Sequence, residues 1–237
     1  MLTKAEILWL RGLRERRNRL AERKFVVEGE KLVRDLVQAR YPLEAVFATD
    51  AFQADVPVRR VSEGEMARIS HFPSPSPVLA VGRIAERAWD ASRLNSGLTL
   101  ALDGIQDPGN VGTLLRIADW FGLAQVLLSP DCADVFSQKT INASMGSFAR
   151  VATHVVDLPE ALAAARVPVL GCDLAGDDVH ALKPETAAIV VIGGEGRGLS
   201  AGVQARLTRR ITIPRRGRAE SLNAAVAAGI VLDQLSR

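Results

Sequence analysis

The stretch Leu98-Thr99-Leu100-Ala101-Leu102, followed by Asp103-Gly104-Ile105-Gln106-Asp107-Pro108-Gly109-Asn110-Val111-Gly112-Thr113-Leu114-Leu115-Arg116, decides the fold. A short apolar run ends at an acid and a glycine. A proline then precedes Val111, Leu114 and Leu115 at helical spacing, so a strand passes into a helix through a tight loop. The alternation repeats to the C-terminus: strands are expected at 98–102, 125–128, 151–156, 167–172, 188–192 and 210–213, helices at 111–121, 135–144, 159–165, 200–207 and 222–235. Strands separated by helices form a mostly parallel sheet covered on both faces, an α/β domain over residues 97–237. Ligands of such sheets bind outside the carboxyl ends of the strands, which points to the loops leaving them.

Residues 1–85 read as a second, smaller α/β unit. Thr3 with Glu6 three positions on is a capping box, and Ile7, Leu10 and Leu13 follow at helical spacing. Further helices are expected at 31–39 and 63–69, and β-like runs at 44–48, 56–61 and 78–81. Pro73, Pro75 and Pro77 remove three amide donors from five residues, which excludes helix and central strand there. The linker between the units is placed at 86–96.

The 237 residues suit two domains at about 100–200 residues each. A hydrophobic content of 48% with 24% charged residues excludes disordered, collagenous and coiled-coil chains. The longest apolar stretch, Ala187 to Ile192, is far short of the roughly 20 residues of a membrane span. Lys4, Glu6 and Arg11 interrupt the apolar positions of the N-terminus, unlike a secretory signal, and the cytoplasm is the expected location. Two cysteines 40 positions apart and three scattered histidines offer neither a disulfide framework nor metal-ligand spacing, so no metal is expected. Of 30 basic and 27 acidic residues, 17 and 13 lie up to Gly97, leaving 13 and 14 beyond it, so the first unit carries net +4 and the second −1. Eight bases fall between Thr3 and Lys24, among them Arg17, Arg19 and Lys24; Arg206, Arg209, Arg210, Arg215, Arg216 and Arg218 form a second cluster with no acid between them. One such run is ordinarily a solvated face, whereas two in one chain favour a polyanionic partner, nucleic acid.

Three loops are candidates for chemistry, each of which could equally be a strand-to-helix turn with its cap residue. In 103–116, Asn110 falls near the helix cap, and Arg116, six residues or about 1.7 turns on, lies on another face. In Val191-Ile192-Gly193-Gly194-Glu195-Gly196-Arg197-Gly198-Leu199-Ser200, four glycines in six residues let backbone approach a ligand. The spacing is neither the dinucleotide G-x-G-x-x-G nor a phosphate-binding P-loop, and Glu195 suits a cation or a hydroxyl. In Ile211-Thr212-Ile213-Pro214 through Arg218 to Ser221-Leu222-Asn223-Ala224-Ala225, Ser221 reads as a helix N-cap with Asn223 in the first turn.

These three segments, in this order, resemble the three motifs of the SpoU (TrmH) group of SPOUT RNA 2′-O-ribose methyltransferases, a likeness covering residues 98–237. The stretches Arg17-Asn18-Arg19 and Phe25-Val26-Val27-Glu28-Gly29 resemble the small RNA-binding domain, similar to a ribosomal-protein fold, that precedes the catalytic domain in many members. The resemblance implies a C-terminal trefoil knot, a homodimer with active sites at its interface, and S-adenosylmethionine as cofactor, leaving as S-adenosylhomocysteine. It places the cofactor against Ile192, Gly193, Gly194, Gly196, Gly198, Ile213 and Leu222, with Ser144, Met145 and Gly146 nearby. It makes Asn110, Arg116, Glu195, Ser221 and Asn223 the candidate catalytic set, and Arg17, Arg19, Lys24, Arg215, Arg216 and Arg218 the RNA-binding set. Ribosomal RNA is the preferred substrate and transfer RNA the alternative.

Methyl transfer from a sulfonium to a hydroxyl needs alignment and a route for one proton, and neither metal nor covalent intermediate. A guanidinium with a pKa above about 12 is a poor base, so Arg116 is expected to hold a phosphate and stabilise developing negative charge, with Glu195 orienting it. Sparse aromatics (seven Phe, three Trp, one Tyr) argue for recognition of RNA shape over base stacking. Two alternatives stand: a catalytically silent RNA-binding or ribosome-assembly protein of this fold, and a nucleotide-dependent oxidoreductase, which the missing fingerprint disfavours.

Overall fold

The structure, a computed structural model, describes residues 1–50, 52–54, 56–85, 88–123 and 125–237. Helix α1 (Lys4–Gly12) starts at the Thr3–Glu6 capping box and buries Ile7 and Leu10. A second helix, α2 (Arg16–Glu22), follows at once. It has no apolar periodicity to announce it, because arginines fill its first turn. Strand β1 (Lys24–Glu28), helix α3 (Glu30–Gln38), strands β2 (Leu43–Ala48) and β3 (Arg59–Arg60), helix α4 (Glu63–Ile69) and strand β4 (Val78–Arg83) complete the first domain, with sheet order β1-β4-β2-β3. The β-like run expected at 56–61 pairs only at its end.

The second domain contains β5 (Leu98–Asp103), α5 (Pro108–Trp120), β6 (Gln125–Leu128), α6 (Gln138–Ser144), β7 (Ala152–Val155), α7 (Leu158–Ala163), β8 (Val169–Asp178), β9 (Ala188–Gly193), α8 (Ala201–Gln204), β10 (Arg209–Thr212) and α9 (Ala224–Leu235). Its six strands run in the order β10-β8-β9-β5-β6-β7, and every neighbouring pair is parallel, as the alternation predicts. Strand β8 runs further than the expected 167–172: residues beyond Gly171 leave β9 and pair with β10 through an irregular register. The chain builds outward from β5 through β6 to β7, then returns to the other side of β5, so the order reverses between β5 and β9. That reversal is a topological switch point, where open α/β sheets hold their ligands.

Helices α5, α6 and α9 cover one face and α7 with α8 the other. The first domain packs on the α6 side. Phe25 of β1 meets Phe136 at 4.9 Å and Phe148 at 5.5 Å between ring centroids, and Tyr41 closes the cluster, so one apolar core runs through both domains. Of the linker expected at 86–96, residues 86 and 87 lie outside the described residues. Its later part is packed structure: Ala91–Asn95 form a 3-10 turn whose Leu94 is buried with Ala101, Leu127 and Ile189 of the second sheet.

Gly112 sets the α5–α6 contact. A Cβ built there lies 2.5 Å from the Thr140 carbonyl oxygen and 2.6 Å from the Ala143 Cβ, neither of which is the mobile end of a side chain. Gly112→Ala is expected to destabilise the protein by about 1–3 kcal/mol, read as a lowered urea midpoint with an unchanged m-value.

Candidate active site at the β5–β9 switch point

Asp103 and Gly193 are paired residues at the carboxyl ends of β5 and β9. The Asp103 carbonyl accepts from the Gly194 amide at 2.9 Å, and its carboxylate, 7% exposed, accepts from the Ser200 amide at 2.6 Å. One buried residue thus holds both ends of the glycine loop. A side chain at Gly194 would place its Cβ 2.5 Å from the Gly104 carbonyl oxygen, and one at Gly193 would collide with the Gly198 carbonyl. Gly198 has φ +62°, a conformation that favours glycine. The glycines let two loops leave the sheet in contact with each other.

Helix α5 is capped by Asp107, whose carboxylate accepts from the Asn110 amide at 2.9 Å, with Pro108 in the first turn. The Lys139 ammonium, 2.7 Å away, and that amide hold the Asp107 carboxyl below its usual range. Because Asp107 does the capping, the Asn110 side chain is free to project, and its Nδ2 donates to Glu195 Oε1 at 2.7 Å. Asn223 Nδ2 donates to Asn110 Oδ1 at 2.9 Å and to the same Glu195 oxygen at 3.2 Å. Both amide orientations follow from chemistry. A carboxylate only accepts, so Asn110 must turn its NH2 towards Glu195; Asn223 Oδ1 accepts from the Ala225 and Val226 amides, which leaves its NH2 facing the cluster. Glu195 Oε2 makes no hydrogen bond among the described residues, and Glu195 lines a cleft of about 370 Å³ together with Gly104, Gln106, Asn110, Asp131, Gly196 and Arg197. Gln106, Asp131 and Arg197 are cleft residues that the sequence reading missed. Asp131 was findable, since it follows β6, the strand adjacent to β5.

The other expected site residues fall in distinct places. Arg116 is exposed on α5 and makes no hydrogen bond or ion pair among the described residues, and Glu195 spends its contacts on two amides and does not orient it. Ser221 is exposed and is not a cap: Asn223 caps α9, because its side chain reaches two first-turn amides. Gly194, Gly196 and Gly198 line the cleft, whereas Ile213, half-buried, and Leu222, 47% exposed, lie outside it on the unpaired segment before α9. The Ile192 side chain is 2% exposed and belongs to the core, so only its backbone is available to a ligand. Ser144 is buried with its hydroxyl donating to the Ile141 carbonyl at 2.8 Å. Gly146 faces Leu32 and Asp35 of α3, so the Ser144–Gly146 turn meets the first domain, with Met145 partly exposed.

The arginine clusters divide. Arg17, Arg216 and Arg218 are exposed without partners among the described residues, and Arg215 reaches only the Ala219 carbonyl, at 3.3 Å. Arg19 is 6% exposed and paired with Asp134, so it cannot meet RNA phosphate. Lys24 is 2.7 Å from Glu44 and lies over the Trp9 ring, which neutralises it as an RNA contact. Burial pushes the Cys172 thiol up to about 12 and the Cys132 thiol above its ordinary value, so neither is an activated nucleophile.

Residues 97–233 match the SpoU rRNA Methylase family model, and residues 4–80 match the MRM3-like substrate binding domain. Over 233 residues the chain is 28% identical to the 23S rRNA (guanosine(2553)-2′-O)-methyltransferase RlmP of Bacillus subtilis, covering 94% of this chain and 92% of that protein. Other curated relatives match over shorter stretches, and the chain spans about half to two thirds of their length. It is similar, at 41% identity and TM-score 0.88 over 100% of this chain and 98% of the other, to a structure described as an RNA methyltransferase of the TrmH family from Porphyromonas gingivalis. A second, the AdoMet-bound rRNA methyltransferase from Sinorhizobium meliloti, matches at 28% identity and TM-score 0.87 over 99% and 95%. The switch-point cleft is lined by the first two motif loops, and Asn223 of the third is bonded to their Asn110 and Glu195; with a family match covering more than half of the residues, the chain belongs to the SpoU rRNA methylase family.

Proposed function

We propose that the protein transfers a methyl group from S-adenosylmethionine to a ribose 2′-hydroxyl of RNA, with ribosomal RNA as the substrate. The observation that carries this is the ring of Asn110, Glu195 and Asn223, which joins one residue from each motif at the β5–β9 switch point. The RlmP and S. meliloti relatives support substrate and cofactor.

The residues fit the cofactor. The amides of Glu195, Gly196 and Arg197 are not taken up by backbone pairing, a Cβ at Gly196 would meet nothing within 4 Å, and the 213–223 segment is neither helix nor strand. Unpaired backbone of this kind suits an adenosine recognised through main-chain groups, with Gly193 to Gly198, Ile213 and Leu222 as its contacts. The bound cofactor supplies the electrophilic methyl group. The chain's part is to align a ribose hydroxyl and take its proton. Glu195 Oε2 is the acceptor: its partner oxygen is pinned by two amides, it makes no hydrogen bond among the described residues, and Glu195 lines the cleft. Ser221 orients the hydroxyl. Arg116, a cation with no partner among the described residues, holds the target phosphate. Arg215, Arg216, Arg218 and Arg17 extend that cationic path along the RNA.

A homodimer is supported by apolar side chains left exposed next to Asn223, Leu222 at 47% and Val226 at 51%. A knotted C-terminus is supported by the course of α9, which returns from the edge strand β10 to pack on α5 and β9 while the Glu185 amide donates to its Leu235 carbonyl. Among the described residues no helix is long and apolar enough to cross a membrane; the proposed role on RNA supports the cytoplasm as its location.

Calorimetry with S-adenosylmethionine, followed by transfer of labelled methyl to total RNA, tests the function. Binding with label in ribosomal RNA ribose is expected. Label in transfer RNA would move the substrate, and binding of RNA without cofactor binding would leave a silent RNA-binding protein. Arg116→Lys is expected to lower kcat/KM by at least about 10-fold, since an ammonium cannot make the bidentate contact. Glu195→Gln should retain cofactor affinity yet lose about 100-fold in kcat. Replacing Arg216 and Arg218 together with Ser should reduce the slope of log affinity against log salt by about 1.5–2.

A further inference from the structure

Arg19 serves the protein's own architecture. Its guanidinium donates to the Leu13 carbonyl at 2.9 Å and to the Arg14 carbonyl, both in the α1–α2 turn. It also donates to Asp134 Oδ2 in the second domain, through Nη2 at 2.6 Å and Nε at 3.1 Å. Asp134 belongs to the loop between β6 and α6, residues 129–137, and the first domain grips that loop a second time where Phe136 packs on Phe25. The other side of the same loop carries the site. The Ala133 amide donates to the Ile105 carbonyl at 2.9 Å, the Gly104 amide donates to Ser129 Oγ at 2.8 Å, and Asp131 lines the cleft. Residues 104–107 then lead directly to the Asp107 cap and to Asn110.

We infer that the 129–137 loop is a positioning element through which the first domain sets the geometry of the Asn110–Glu195–Asn223 ring, with Arg19 and Asp134 as its positioning residues. What is positioned rests on the proposed methyl transfer; the mechanical link does not. Two guanidinium nitrogens converge on Asp134 Oδ2 in a largely buried pair, and Oδ1 is held by the Phe136 amide, so Asp134 cannot shift without carrying Ala133, and Ala133 is bonded to the entry loop of the cleft. RNA held by the first domain therefore reaches a site whose mouth is braced by that same domain. Displacement of a reacting group by about 1 Å can cost on the order of 100-fold in rate, so small play in this brace matters.

Two full-length variants test the link. Arg19→Met/Asp134→Asn removes the ion pair and keeps an acceptor for the Phe136 amide, which donates to Asp134 Oδ1 at 2.9 Å. Phe136→Leu loosens the same loop without touching a charge, and thermal melting confirms that each is folded. Hydrogen exchange by NMR is expected to show the Gly104 and Ala133 amides exchanging about 10-fold faster, with the β5 amides of residues 100–102 unchanged. With 23S rRNA transcribed in vitro at saturation, kcat is expected to fall about 10-fold while KM for S-adenosylmethionine stays within about twofold. Unchanged protection of Gly104 and Ala133 in a folded variant, or a loss that appears only as a raised KM for RNA, overturns the inference, because a simple tether would behave that way. If the unaltered protein places no methyl on RNA, the proposed function fails, and hydrogen exchange alone decides the link.

Discussion

Parallel pairing of β5 with β9 puts the Asp103 carbonyl opposite Gly193, and the site grows from that adjacency. The two strands are far apart in sequence, and their carboxyl ends release the two loops that carry Asn110 and Glu195. Asp103 then binds the second loop twice, with its carbonyl to the Gly194 amide and with its carboxylate to the Ser200 amide. A buried carboxylate is costly unless hydrogen-bonded, so this arrangement persists only while the glycine loop stays in place. Glycine at 194 is required because the Gly104 carbonyl occupies the space a Cβ would need.

Two helix caps decide which polar side chains remain for chemistry. Asp107 satisfies the first turn of α5, which releases Asn110; Asn223 caps α9 with its oxygen and presents its nitrogen to the ring. Capping and site assembly are therefore one event at Asn223. Ser221, two residues earlier, stays outside the helix, and its hydroxyl makes no hydrogen bond among the described residues. Glu195 ends with one oxygen committed and one open, an asymmetry that suits a group that must receive a proton from a defined direction.

The basic residues show how charge counting and charge function part. Arg17 and Arg19 are two positions apart on α2, about 200° around the helix, so one faces water and the other faces the second domain. Their composition signal is the same. The continuous core through Phe25, Phe136 and Phe148 and the Arg19–Asp134 pair make the first domain a fixed part of the molecule.

The sequence by itself determined the class of the fold and most of its elements, though not α2 or β1. Period-two and period-3.6 patterns, glycine loops and cap residues act over a few residues, so the six strands of the second domain, the helix α4 and the ends of β6 were legible, whereas the grouping of Asn110, Glu195 and Asn223 came from the resemblance of their motifs to a family. The register of β8 with β10, the burial of Arg19 and Ile192, the turning of Gly146 towards α3 and the choice of Asn223 over Ser221 as cap were decided by tertiary structure alone. Each depends on strand order or on the docking of two domains. The members of the ring stand 28, 85 and 113 positions apart, and no local pattern records which distant polar groups meet, which face water and which are enclosed.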